Sequence, residues 1–270
     1  MRHSQETEVD GFTGWRQPMP DGRELPLRFH GPAGSADKKY PLVLHFHGAG
    51  SRGEDNLAPL RFVRPLLDPK QNREACFILV PQCPAEQWWV DTDCHVDSHR
   101  LPEHMTPEMT AAVAAFDEVL KTYPVDFDRI YVYGQSMGAF ATWDILCRRP
   151  ETFAGAVAVC GGGDECCAAA IAAIPVWVFH GALDDAVKVE RSRNMVAALR
   201  RAGGQPHYTE YPDVAHNAWD YAYTPELFHW LFQQHRVKIE SVGGGPISIR
   251  RSACGLPALS PETFCRFPPT

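Results

Sequence analysis

From Tyr40 onward the sequence keeps returning to short, almost uninterrupted apolar runs, and this pattern limits the possible folds more than any other feature. The runs are Leu42 to His47, Cys76 to Pro81, Arg129 to Gly134, Ala154 to Cys160, Val176 to His180 and His207 to Tyr211. A strand with one face in water alternates apolar and polar residues, whereas a strand buried on both faces reads as continuous. Amphipathic stretches separate the runs. Thr106 to Tyr123 has a capping Thr106, Pro107 in the first turn, Met109, Val113, Phe116 and Leu120 at helical spacing, and Pro124 as a stop. Met137 to Cys147, Glu190 to Ala202 and Pro225 to His235 are further helix candidates, the second closed by Gly203-Gly204. The alternation predicts an α/β domain with a mostly parallel central sheet and helices on both faces.

A chain of 270 residues is within reach of a single core. Residues 1–39 are expected to form an N-terminal edge segment of the same domain, with Pro20-Asp21-Gly22 as a hairpin turn. Residues 40–236 make the expected core. Over 237–270 the pattern decays into Gly243-Gly244-Gly245-Pro246 and a Ser-, Pro- and Arg-rich stretch, a C-terminal extension whose role is not legible.

The net charge of −7, with no block of Lys or Arg, argues against nucleic acid or an anionic membrane as the partner. No apolar run approaches the roughly 18 residues of a membrane span. Met1 to Asp10 is polar and acidic rather than basic-then-apolar, so the chain as written is expected in the cytoplasm, export requiring a processed or truncated N-terminus. Among the nine cysteines, Cys76, Cys147 and Cys160 sit in apolar stretches and read as buried thiols, while Cys254 and Cys265 lie in the tail, where a disulfide would be useful. There is no CxxC pair, and neither a metal nor a cofactor is expected.

The chemistry concentrates at Gly134-Gln135-Ser136-Met137-Gly138, directly after a strand and directly before a helix. A serine lifted onto so sharp a turn occupies strained backbone, and the positions two before and two after it must lack side chains that would collide. The serine also sits at a helix N-terminus, where the N–H of Met137 is placed to donate to an oxyanion. A serine hydroxyl is a weak nucleophile without a base that takes its proton and returns it to the leaving group. Such a turn calls for an acid after a later strand and a histidine in a later loop. Asp184, in His180-Gly181-Ala182-Leu183-Asp184-Asp185, is the candidate acid, with Asp185 its rival. His216, in the loop after His207 to Tyr211, is selected from the 12 histidines by order and position. His47-Gly48-Ala49-Gly50 supplies the second oxyanion donor, Ala49 by preference and Gly50 otherwise.

These segments resemble one group of proteins. Tyr40 to Asn56, Val80-Pro81-Gln82-Cys83-Pro84 with Trp88, Asp128 to Tyr131, Gly134 to Gly138, Thr142-Trp143, Gly161-Gly162-Gly163-Asp164, His180 to Val187 and Tyr211 to Trp219 are similar to motifs of α/β-hydrolase serine esterases. The resemblance is to predicted peptidases and esterases, phospholipase/carboxylesterase-like proteins, polyhydroxybutyrate depolymerases and feruloyl esterases. It covers roughly residues 38–236. It implies the α/β-hydrolase fold and a Ser136, Asp184, His216 triad. The chain departs from the pattern at Ala139, where a second glycine is common, and at Ser51, where an acidic residue is common.

Gln87-Trp88-Trp89-Val90-Asp91 is expected on the rim of the site, so Trp88 and Trp89, with Gln135, are the expected substrate contacts. Asp91, Asp93, His95, Asp97, His99 and His104 follow at irregular spacing and read as a solvated loop rather than a metal site. The expected activity is cleavage of short acyl, aryl or carbohydrate-linked carboxylic esters, the partner being a small-molecule or polymer-linked ester. The rivals are a serine peptidase and a non-catalytic binding module of the same fold. The sequence sets no oligomeric state.

Overall fold

The computed structural model describes residues 6–33 and 38–236. The 237–270 extension, with Cys254 and Cys265, lies outside the described residues.

Among the described residues nine strands form one sheet: β1 (Glu6–Val9), β2 (Phe12–Pro18), β3 (Glu24–His30), β4 (Tyr40–Phe46), β5 (Phe77–Pro81), β6 (Val125–Gln135), β7 (Gly155–Val159), β8 (Val176–Gly181) and β9 (His207–Tyr211). Their order across the sheet is β1-β2-β3-β5-β4-β6-β7-β8-β9. From β5 to β9 every neighbouring pair is parallel. The three N-terminal strands attach antiparallel on the β5 side. The turn between β2 and β3 holds Pro20-Asp21-Gly22, with Gly22 at φ +85° and its N–H donating to Met19 O at 3.1 Å. This order, parallel from β5 to β9, is the arrangement that the α/β-hydrolase resemblance implies.

The central strands bury both faces, and successive residues divide between two cores. Leu42 and Leu44, Leu79, Ile130 and Val132, Ala156 and Ala158 face one core. Val43, Ile78 and Val80, Tyr131 and Tyr133, Val157 and Val159 face the other. The first core is covered by α1 (Pro107–Thr122), α2 (Met137–Arg148), α3 (Ala168–Ile171) and α4 (Glu190–Arg201). The second is covered by α5 (Trp219–Ala222), α6 (Pro225–Phe232) and 3₁₀ turns carrying Leu60 and Leu66. Thr106 caps α1, its Oγ1 accepting from Met109 N–H at 3.0 Å. Gly203, at φ +88°, ends α4. Cys76, Cys147 and Cys160 are buried.

Two expectations need correcting. β9 is an edge strand, and His207-Tyr-Thr-Glu-Tyr is exposed or half-buried along its length, not covered on both faces. The final helix stops at Phe232, short of His235. Among the described residues no helix is long and apolar enough to cross a membrane.

Candidate active site

Parallel strands deliver their C-terminal ends to one edge of the sheet, and four connections gather there, after β4, β6, β8 and β9. The turn after β6 carries Ser136 at φ +53°, ψ −123°, as the residue preceding α2. Its N–H donates to Val159 O on β7 at 2.8 Å, which tethers the strained residue to the sheet. The flanking glycines are required by close approach. A Cβ on Gly134 would stand 2.3 Å from Gly138 O, and one on Gly138 would stand 1.9 Å from Phe46 O. α2 is therefore pressed backbone-to-backbone onto the end of β4, which leaves the serine at the crest of the turn.

The candidate acid Asp184 and candidate base His216 arrive from β8 and β9, on the far side of β7. Their two connections interlock: Ala182 N–H donates to Tyr211 O at 2.9 Å, and Leu183 N–H to Val214 O at 3.0 Å. A Cβ on Gly181 would stand 2.2 Å from both Val214 O and Ala215 O. This contact brings His216 over Asp184. His216 Nδ1 lies 2.7 Å from Asp184 Oδ2, and His216 Nε2 lies 2.8 Å from Ser136 Oγ. The carboxylate takes Nδ1–H, which leaves the Nε2 lone pair facing the hydroxyl. The ring keeps 23% exposure while the Asp184 side chain has none. Trp219 closes on the ring edge-on, with centroids 5.1 Å apart.

Asp184 is a fully occupied acceptor. Oδ1 receives the N–H groups of Ala186 at 3.0 Å and Val187 at 2.8 Å. Oδ2 receives His216 and stands 3.1 Å from His180 Nε2, which also bonds Val187 O at 2.9 Å. Burial alone would raise its pKa; the hydrogen bonds from His180 and His216, the charge of His216 and the Val187 N–H outweigh it and hold the carboxyl well below its ordinary value. Asp185, the rival acid, is exposed. The buried thiol of Cys160 completes the surroundings of the acid, its pKa raised by burial and by Asp184.

On the other side of the serine runs the loop after β4. A Cβ on Gly48 would come within 3.3 Å of Ser136 Cβ, so this loop lies directly against the nucleophile turn. Ala49 opens a 3₁₀ turn and Met137 opens α2, and N–H groups at the first position of such turns have no acceptor within them. Arg52 braces the loop by donating to Ala49 O at 3.1 Å, with its guanidinium 4.4 Å from the centre of the Trp88 ring.

The expected substrate contacts separate. Trp88 is partly exposed beside Arg52. Trp89 is fully buried, contrary to expectation: its Nε1–H donates to His47 O at 3.1 Å and its ring packs on Phe46, so it supports the loop from beneath. Gln135 is 1% exposed and accepts from Tyr223 Oη–H at 2.9 Å, because as the last residue of β6 it still faces the sheet's second core. The 91–104 loop is also more than a solvated connection. Asp97 pairs with Lys188 at 2.7 Å, Asn194 donates to Asp97 O at 3.1 Å, and Arg191 donates to His99, which straps the loop over the start of α4. Within it the consecutive residues Asp93, Cys94 and His95 bring ligand-type atoms within 4.8 Å of one another. Sequence reasoning also missed His180 as a partner of Asp184. The available signal was its position at the end of a buried strand, four residues before the acid.

The profile of the prolyl oligopeptidase family, Peptidase S9, matches residues 105–166. A poly(3-hydroxyalkanoate) depolymerase C from Paucimonas lemoignei is 26% identical over 160 residues, 55% of this chain and 36% of the depolymerase. A thermostable esterase structure is 36% identical with a TM-score of 0.76, covering 84% of this chain and 64% of that one. The chain thus spans about a third of the depolymerase and somewhat under two thirds of the esterase. A ferulic acid esterase structure, 16% identical with a TM-score of 0.58 over 82% of this chain and 98% of that one, shares the fold. So does an acylaminoacyl peptidase from Pyrococcus horikoshii, 14% identical with a TM-score of 0.58 over 83% of this chain and 42% of that one. In fold the chain is an α/β-hydrolase, and in sequence it is similar to a thermostable esterase and, over about half of its length, to a polyhydroxyalkanoate depolymerase.

Proposed function

We propose that the protein hydrolyses carboxylic esters through an acyl-enzyme intermediate, with Ser136 as nucleophile, His216 as general base and acid, and Asp184 as the residue that orients and charges the imidazole. One observation carries the reading: an unbroken relay of 2.8 Å and 2.7 Å from a positive-φ serine through one imidazole to a buried carboxylate. His216 Nε2 takes the Ser136 proton as Oγ attacks the ester carbonyl. The resulting imidazolium is stabilised by Asp184, and the developing oxyanion by the N–H groups of Met137 and Ala49. Collapse expels the alcohol, which leaves with the proton from His216. A water then repeats the sequence on the acyl-enzyme and releases the acid.

The match to an esterase at 36% identity supports ester over amide substrates. Trp88, braced by Arg52 beside the oxyanion loop, supports acyl or alcohol groups with a flat face, including aryl and carbohydrate-linked esters. A second reading, as a peptidase, is favoured by the Peptidase S9 match over 105–166. Turnover of p-nitrophenyl acetate and of short aliphatic, feruloyl and hydroxyalkanoate esters, run beside a peptide panel, separates the two. Ester turnover at least about a hundredfold above peptide turnover, a gap near 2.7 kcal/mol, is expected. Peptide cleavage without ester cleavage would reverse the assignment.

A further inference from the structure

We infer that His180 is a positioning residue for the acid: its Nε2–H, anchored on Val187 O, lies against Asp184 Oδ2 and keeps it where His216 needs it, and Ser192 on α4 holds the His180 ring in that orientation. The inference rests on the reading of Ser136, His216 and Asp184 as a triad and goes beyond it, because it gives two further side chains, from β8 and α4, a part in holding the carboxylate.

His180 is fully buried. Its Nε2 hydrogen-bonds Val187 O at 2.9 Å and stands 3.1 Å from Asp184 Oδ2. Both neighbours are acceptors, so Nε2 must carry a proton, directed at Val187 O with the carboxylate beside it. A lone pair there would face two oxygens in a dry site. Its Nδ1 lies 2.7 Å from Ser192 Oγ, which itself lies 3.1 Å from Gly161 O. Ser192 is also fully buried, so its hydroxyl answers to these two partners alone. The charged groups facing the ring are Asp184 and Glu210, which is its register partner on β9 and is itself held by Arg193 at 2.6 Å.

The consequence falls on Oδ2. The two loop N–H groups fix Oδ1, whereas Oδ2 faces His216, the ring in the site that must change its own protonation during turnover, with the Cys160 thiol beside the carboxylate. A second donor that does not take part in the proton transfer keeps the carboxylate in place while His216 alternates. The same donor draws charge from Oδ2, so it also tempers how tightly the carboxylate grips the imidazole.

Three measurements test this. Fluorophosphonate labelling of the wild type, mapped to Ser136, tests the triad reading by itself. His180→Ala is then expected to lower kcat about 10- to 100-fold with KM within about twofold, since the loss is one of alignment. His180→Gln, which keeps an amide donor near the Nε2 position, is expected to recover most of that loss. A folded His180→Ala with kcat within twofold of wild type, or a His180→Gln as impaired as His180→Ala, overturns the inference while leaving the triad standing. Nitrogen-15 NMR of the wild type reads the ring directly and needs neither variant to fold: a protonated Nε2 on His180 is expected, and an unprotonated one overturns the inference.

Discussion

The turn carrying Ser136 and the Asp184–His216 pair meet within 2.8 Å, yet they are built on different principles. Ser136 stands between two central strands, and what positions it is backbone contact: α2 lies so close to β4 that only glycine fits at 134 and 138. Asp184 and His216 come from the outer strands β8 and β9, and what positions them is a set of hydrogen bonds, from Ala186, Val187 and His180 to the carboxylate and between the two connections. One half of the site is held by steric closure and the other by polar contacts. Damage to the first should therefore appear as lost stability together with lost activity, and damage to the second as lost activity in a folded protein.

The sharpest break in the comparison is Asp184→Asn. The fold should survive, while kcat falls by roughly ten thousandfold, because the amide presents its N–H to His216 and selects the wrong tautomer. Circular dichroism beside ester turnover checks both halves. A loss confined to a few-fold would mean that Asp184 does not orient the base. Next comes Gly138→Ala on the steric side. A Cβ 1.9 Å from Phe46 O has no flexible neighbour to displace, so α2 must move off the sheet at a cost of about 3 kcal/mol or more, read as a shifted denaturation midpoint. Activity should disappear along with that stability. A Gly138→Ala variant of unchanged midpoint would contradict the account of the turn.

A smaller effect comes from the buried histidine at the start of the oxyanion loop. His47 is fully buried, with its pKa lowered to about 4 by desolvation first, against the opposing hydrogen bond to Gly48. In the unfolded chain it titrates near the ordinary value of about 6.5. Between these limits the unfolded state binds the extra proton, so stability is highest above about pH 6.5 and falls as pH drops toward 4. At most about 3 kcal/mol is involved. His47→Gln should flatten the slope of unfolding free energy against pH in that window; an unchanged slope would remove His47 as its source.

The same division explains what could be read in the sequence. Features set by local sterics were legible: the glycines around Ser136, the Thr106 cap and the apolar runs of β4 to β8 all state their structure in adjacent residues. Features set by tertiary contact were not. Trp88 and Trp89 stand side by side in an irregular loop, where no periodicity says which one turns inward to His47. Gln135 ends its strand facing a core that only the packed α5–α6 segment, through Tyr223, completes. β9 reads as a strand, but its place at the sheet edge follows from connections that its own residues do not encode. The spacing of His180 to Asp184 hints at one partner, but nothing near it in the chain points to Ser192, which comes from a separate helix.

The central claim, that His216 activates Ser136, is tested most directly by covalent labelling with a fluorophosphonate, followed by peptide mass mapping in the wild type and in Ser136→Ala and His216→Ala. The account predicts one modified residue, Ser136, with no adduct in Ser136→Ala and labelling slowed by about a thousandfold or more in a folded His216→Ala. An adduct on another residue, or labelling of His216→Ala at the wild-type rate, would contradict it.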